Sequence, residues 1–66
     1  MREYARNTVQ SYRERAGITQ EELAGRVGVS RQTIIAIEKG NYTPSVLLAL
    51  KIAQYFKTPV ESIFSL

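Results

Sequence analysis

Ile18-Thr19-Gln20-Glu21-Glu22-Leu23-Ala24-Gly25-Arg26-Val27-Gly28-Val29-Ser30-Arg31-Gln32-Thr33-Ile34-Ile35-Ala36-Ile37-Glu38-Lys39-Gly40 is the stretch that decides the fold. Thr19 and Glu22 stand in capping-box spacing, so each can satisfy a backbone N–H at the start of a helix. Ile18 and Leu23 bracket that start in the register of a hydrophobic staple. The helix is expected to reach Val27 with Leu23, Ala24 and Val27 inward. Gly28 lets the chain leave it through positive φ, which other residues adopt at a steric cost. Ser30 then caps a second helix over Arg31 to Lys39, with Val29 and Ile34 as its staple. Ile34 and Ile37 form its inward pair, and Arg31, Gln32, Thr33 and Ala36 point elsewhere. Two short helices joined by a three-residue turn are thus predicted over residues 19–39.

Outward from this unit, the chain reads as helical throughout. On the N-terminal side, Asn7 is expected to cap a helix running to Arg15, with Gln10 in capping-box register. Val9, Tyr12 and Ala16 share one face, and Gly17 ends the helix. Tyr4 and Ala5 fit either an extension of this helix or a loose arm. On the C-terminal side, Gly40 to Thr43 form a loop. A fourth helix starts near Pro44 or Ser45 and runs to about Phe56, with proline welcome in its first turn. Leu47, Leu50, Ile52, Ala53 and Phe56 make it the most apolar helix and the expected centre of the fold. Thr58, Pro59 and Glu61 read as the N-cap, N1 and N3 of a short fifth helix. Ile63, Phe64 and Leu66 either close the core or form a seam between subunits; the small core favours a seam. Tyr42 is expected to cover the fourth helix.

Composition narrows the function classes. A chain of 66 residues makes one domain, taken here as residues 1–66. It has no cysteine and no histidine, so disulfides, thiolate metal sites and imidazole catalysis are excluded. Nine Lys and Arg against six Asp and Glu give a charge of +3, compatible with a nucleic-acid partner. No nucleophile–base pair, metal-ligand cluster or phosphate-cradling glycine loop is present, which argues against an enzyme and against any cofactor. The N-terminus lacks the apolar region of a signal peptide and no stretch is long enough for a membrane span, so a cytoplasmic protein is expected.

The residues quoted above, with Pro44-Ser45, Leu48-Ala49-Leu50-Lys51-Ile52-Ala53 and Val60-Glu61-Ser62-Ile63-Phe64, resemble the phage repressor/Cro-type (XRE-like) helix-turn-helix family over roughly residues 7 to 64. The resemblance implies an all-α, compact five-helix bundle of the lambda repressor-like DNA-binding type. It implies a transcriptional regulator, a repressor, that binds a palindromic operator as a homodimer. In such a motif the first helix crosses the DNA backbone, and the second lies in the major groove with its N-terminal residues at base edges. By position, Gln20 would meet a phosphate. Arg31 and Gln32 would reach base edges, because Arg pairs with guanine O6 and N7 and Gln with adenine N6 and N7. Ser30 combines capping with a phosphate contact, Thr33 meets a base or the backbone, and Ala36 touches a thymine methyl. The loop from Gly40, with Asn41 and Thr43, would hold a further phosphate. The resemblance also pairs Arg13 with Glu38.

The chain departs from the family pattern at Ile35 and Ala36, where many members carry polar residues. Its segment 18–39 holds three basic and three acidic residues, so the reading unit has no net charge. These departures favour one alternative, a protein-interaction module that has lost DNA reading; a second alternative, the antitoxin of a toxin–antitoxin pair, would bind DNA by the same face and a toxin by another. Either would add a protein partner. No small-molecule ligand is expected.

Overall fold

A computed structural model describes residues 3–66, so the single domain expected over residues 1–66 is described from its third residue on. Four α-helices follow one another: α1 (Val9–Ala16), α2 (Gln20–Val27), α3 (Arg31–Glu38) and α4 (Val46–Tyr55). After α4 comes one 3-10 turn, Val60–Ser62. Two short strands, β1 (Arg6–Asn7) and β2 (Phe64–Ser65), pair antiparallel and tie the two ends of the domain together. The architecture is therefore four helices and a single turn, with a small ladder, in place of the five helices expected.

Local chemistry sets these boundaries. Thr19 Oγ1 accepts from Glu22 N–H at 3.0 Å, and Glu22 Oε1 accepts from Thr19 N–H at 2.9 Å, completing the expected capping box. Ser30 accepts from Thr33 N–H and Ser45 from Leu48 N–H, so α3 and α4 begin on serine caps. Gly28 carries φ +78° and turns the chain from α2 toward α3, with Val29 N–H bonded back to Ala24 C=O at 3.0 Å.

The first helix departs from expectation at its start. Asn7 is held in the ladder opposite Phe64, so α1 begins only at Val9 and Thr8 stands at the N-cap. Asn7 still satisfies one orphan donor, because its Oδ1 accepts from Val9 N–H at 3.1 Å. Gln10 does not close a capping box; its amide donates to Glu14 at 3.1 Å. Ala16 is exposed, not on the packed face with Val9 and Tyr12. Tyr4 and Ala5 extend no helix: Ala5 N–H donates to Thr43 Oγ1 at 3.1 Å, which lays this segment against the loop after α3.

The fifth helix is missing because its start signal is used to end the fourth. Lys57 takes a left-handed conformation, φ +55°. Lys57 N–H then bonds to Gln54 C=O at 3.0 Å and Thr58 N–H to Ala53 C=O at 3.1 Å. This pattern is the Schellman closure of a helix. With Thr58 occupied there, Pro59 only introduces one 3-10 turn before the chain bends into β2.

The core consists of Val9, Leu23, Ala24, Val27, Ile34, Ile37, Leu48, Ile52, Ala53 and Ile63. It draws on every helix, so burying it fixes how α2 and α3 sit on α4 and α1. Ile63 is 2% exposed and closes the core. Phe64 packs against the same cluster. The expected seam through Ile63, Phe64 and Leu66 therefore does not exist as a surface, and only Leu66 is exposed. On α4 the buried residues are Leu48, Ile52 and Ala53, while Leu47 and Leu50 face out. Tyr12, Tyr55 and Phe56 form an aromatic cluster beside the core, with Arg15 stacked 4.6 Å from the Tyr12 ring. Among the described residues no helix is long and apolar enough to cross a membrane.

Candidate nucleic-acid interface

The start of α2 packs on α3, Gln20 reaching Glu38, and these two helices carry most of the residues of interest. α3 opens on the Ser30 cap, with Arg31 and Gln32 exposed in its first turn. Ser30 Oγ and Thr33 Oγ1 share a hydrogen bond of 3.2 Å, which fixes both hydroxyls at the helix start. No acidic residue occupies the first turn of α3, whereas α2 carries Glu21 and Glu22 there. The positive end of the α3 dipole is thus left uncancelled within its own helix, and Arg31 adds a full charge to it. Carbonyl and ring-nitrogen acceptors of a base edge are the groups such an end attracts.

Arg31 shares a shallow open cleft with Arg13, Thr19, Gln20 and Glu21. The floor of that cleft is a charge network. Arg13 donates from Nε to Glu38 Oε2 at 2.7 Å and from Nη2 to Glu38 Oε1 at 3.2 Å. A third bond runs from Arg13 Nη1 to Ile18 C=O at 3.0 Å. The hydrogen bonds that Arg13 donates to Glu38 hold its guanidinium pKa above the ordinary value, outweighing the burial that lowers it. The expected pairing of Arg13 with Glu38 is thus present. Gln20, the expected phosphate contact, also turns toward this pair: its Nε2 donates to Glu38 Oε1 at 3.0 Å. One carboxylate therefore anchors α1, α2 and the end of α3 to one another.

The other end of α3 is held by Asn7, whose Nδ2 donates to Ile37 C=O at 2.8 Å. That carbonyl, in the last turn of α3, also accepts from Gly40 N–H at 2.9 Å, so Asn7 adds a second donor to it. Asn7 went unnoticed in this role in the sequence, where its only legible signal was that of a cap. Asn41 and Thr43 are exposed on the following loop, away from Arg31 along α3. Thr43 uses an oxygen lone pair for Ala5 N–H and keeps its hydroxyl hydrogen free to donate. Ile35 and Ala36 are half-buried in mid-helix. The structure thus groups Ser30, Arg31, Gln32 and Thr33 at the start of α3, ties Gln20 to Glu38 while it shares a cleft with Arg31, sets Asn41 and Thr43 beyond the end of α3, and places Ala36 in mid-helix. Tyr42 is 43% exposed and lines a groove with Thr33 of α3 and with Leu47 and Lys51 of α4.

Two short helices, a glycine turn between them and a capped second helix with polar residues exposed at its start define a helix-turn-helix protein. The comparisons agree. A helix-turn-helix family model matches residues 9–63. An uncharacterized HTH-type transcriptional regulator of Methanocaldococcus jannaschii is 56% identical over 59 residues, covering 89% of each chain. The cryptic phage CTXphi transcriptional repressor RstR of Vibrio cholerae is 30% identical over 57 residues, 86% of this chain and 51% of the repressor. Among solved structures, the restriction-modification controller protein C.AhdI from Aeromonas hydrophila superposes with a TM-score of 0.75 at 26% identity, covering 82% of each chain. The N-terminal DNA-binding domain of SinR from Bacillus subtilis gives 0.74 at 25% identity, over 82% of this chain and 80% of that one. The chain belongs to the phage repressor/Cro-type (XRE-type) helix-turn-helix family of DNA-binding transcriptional regulators.

Proposed function

We propose that the protein is a repressor that reads a palindromic operator as a homodimer, with α3 in the major groove. The observation that carries this reading is the start of α3: a serine-capped, acid-free helix end with Arg31 and Gln32 exposed on it. Arg31 is suited to guanine O6 and N7 and Gln32 to adenine N6 and N7, each through two parallel hydrogen bonds. Thr33 adds a hydroxyl at the same end, and Ala36 offers a methyl to thymine one turn on. Gln20 and Ser30 would meet phosphate on one side. Asn41 and Thr43 would meet it on the other, so α3 is held in register by the backbone at both ends.

The half-buried Ile35 narrows the readable length of α3 to its first turn and the Ala36 face. Short half-sites are therefore expected, with affinity coming largely from phosphate contacts and falling steeply with salt. Selection of bound duplexes from a random pool tests the reading. An enriched palindrome, weakened by Arg31→Ala and by Gln32→Ala, supports it. No enrichment, or binding indifferent to both changes, refutes it.

A further inference from the structure

We infer that Asn7 is a positioning residue for DNA binding: from β1 it holds the end of α3, and the loop after it, in the shape that Asn41 and Thr43 need to meet phosphate. The inference rests on the proposed operator reading and names a residue outside the helix-turn-helix that sets its affinity.

Asparagine suits this place because the place asks for two opposite groups. Asn7 Oδ1 accepts from Val9 N–H at 3.1 Å while Nδ2 donates to Ile37 C=O at 2.8 Å. An amide offers an acceptor and donors on one short side chain, whereas a carboxylate only accepts. Asn7 therefore joins the start of α1 to the end of α3, 30 positions away in the chain.

The bond to Ile37 adds position, because the helix end is complete without it. Ile37 C=O already accepts from Gly40 N–H at 2.9 Å, and Asn41 N–H donates to Ala36 C=O at 3.3 Å. With Gly40 at φ +80°, these two bonds form a Schellman closure of α3. Asn7 fastens that closure to the N-terminal segment.

The loop beyond the closure has few bonds of its own. Among the described residues, Tyr42, Thr43 and Pro44 make no backbone–backbone hydrogen bond. Thr43 is held instead by Ala5 N–H, which donates to its Oγ1 at 3.1 Å. Ala5 and Asn7 belong to one segment, and β2 fixes that segment. Asn7 lies opposite Phe64, and Thr8 N–H donates to Ile63 C=O at 2.9 Å. The N-terminal segment thus grips the loop on both sides, at Ile37 and at Thr43.

The grip acts on affinity through order. A free loop residue loses backbone freedom when it meets a phosphate, and a loop ordered beforehand loses less. The Ala5 bond uses a lone pair of Thr43 Oγ1, so the hydroxyl hydrogen is left for a phosphate oxygen. Asn41 and Thr43 touch no base in this reading. Loosening the loop therefore weakens binding to every sequence alike.

The test uses the full chain, the selected operator and Asn7→Ser, which keeps an oxygen for Val9 N–H and loses the reach to Ile37. Asn7→Ser is expected to bind the operator about three- to tenfold more weakly, with its preferences among single-base-pair variants intact. In an Asn41→Ala/Thr43→Ala background the same change should cost less than about twofold, because the contacts it serves are gone. An equal loss in both backgrounds, no loss in either, or altered base preferences overturns the inference. Backbone NMR order parameters without DNA give a second readout. Asn7→Ser should lower them at residues 40–43 and leave residues 31–33 as in wild type. Unchanged order at 40–43, or a drop spread over the domain, overturns the inference. If Asn7→Ser fails to melt cooperatively, Asn7→Asp takes its place in both measurements. It keeps the size and the acceptor and has no donor for Ile37; its added charge acts in both backgrounds and cancels in their comparison. Failure of the selection itself refutes the operator reading, and the order parameters then decide alone whether Asn7 holds the loop.

Discussion

Truncating Glu38 to alanine should be among the most damaging single changes available in this chain. It strands three donors at once: Nε and Nη2 of Arg13 and Nε2 of Gln20. The Glu38 side chain is 4% exposed and that of Arg13 13%, so water replaces little of what is lost. Removing one member of a buried ion pair costs about 3–5 kcal/mol. Arg13 keeps its bond to Ile18 C=O and reaches some solvent, which sets the expectation at the lower end, about 3 kcal/mol. A domain of this length holds on the order of 3–10 kcal/mol in total. The change should therefore lower Tm by roughly 12–24 °C, at 4–8 °C per kcal/mol for a chain this small. Thermal melting by circular dichroism measures it, with the exposed Glu61→Ala as reference, expected within about 0.5 kcal/mol of wild type. A loss no greater than that of Glu61→Ala would refute the reasoning. The paired change Arg13→Met/Glu38→Met should recover more than half of the loss, because no charge is left unpartnered.

Gly28→Ala should cost about 1–2 kcal/mol from backbone strain alone, because φ is +78° and an added Cβ meets nothing within 4 Å. Gly28→Asn should cost less, since Asn tolerates the left-handed region, and equal losses in chemical denaturation would contradict this account. Glu22 gives a pH signature. The Thr19 backbone N–H holds its carboxyl below the ordinary value of 4.5. Its contribution is therefore present above the unfolded pKa and lost as pH falls through the lower folded one. The stability difference between wild type and Glu22→Gln should shrink as pH falls below about 5, and a constant difference would count against the capping box.

The parts of the fold legible in the sequence were those set by local chemistry. Thr19 with Glu22, and the Ser30 cap, involve residues three apart and announce themselves, whereas Pro44 reads as part of the first turn of α4 and instead precedes its Ser45 cap. The β1–β2 ladder did not, because two residues per strand show no alternation and the pairing joins residues 57 to 59 positions apart. The missing fifth helix has a similar origin: Thr58-Pro59 reads as a start, and only the left-handed Lys57 reveals that Thr58 is closing α4. On α4, apolar residues run nearly all round, so periodicity could not choose between Leu48 with Ile52 and Leu47 with Leu50 as the inner side. At the site, Ser30, Arg31 and Gln32 stand exposed at the helix start, where the pattern placed them. Gln20 was legible as a residue at the head of α2 but not as a partner of Glu38, a contact that exists only once α2 and α3 are packed.

The central claim is that the start of α3 reads base edges. Its most direct test is the affinity of wild type and Arg31→Ala for the selected operator and for every single-base-pair variant of one half-site. Arg31→Ala should lose about 1–3 kcal/mol on the operator and become indifferent to the base pair at one position, with discrimination elsewhere retained. A uniform loss across all variants, with the salt slope reduced by about one, would make Arg31 a phosphate contact and contradict the account.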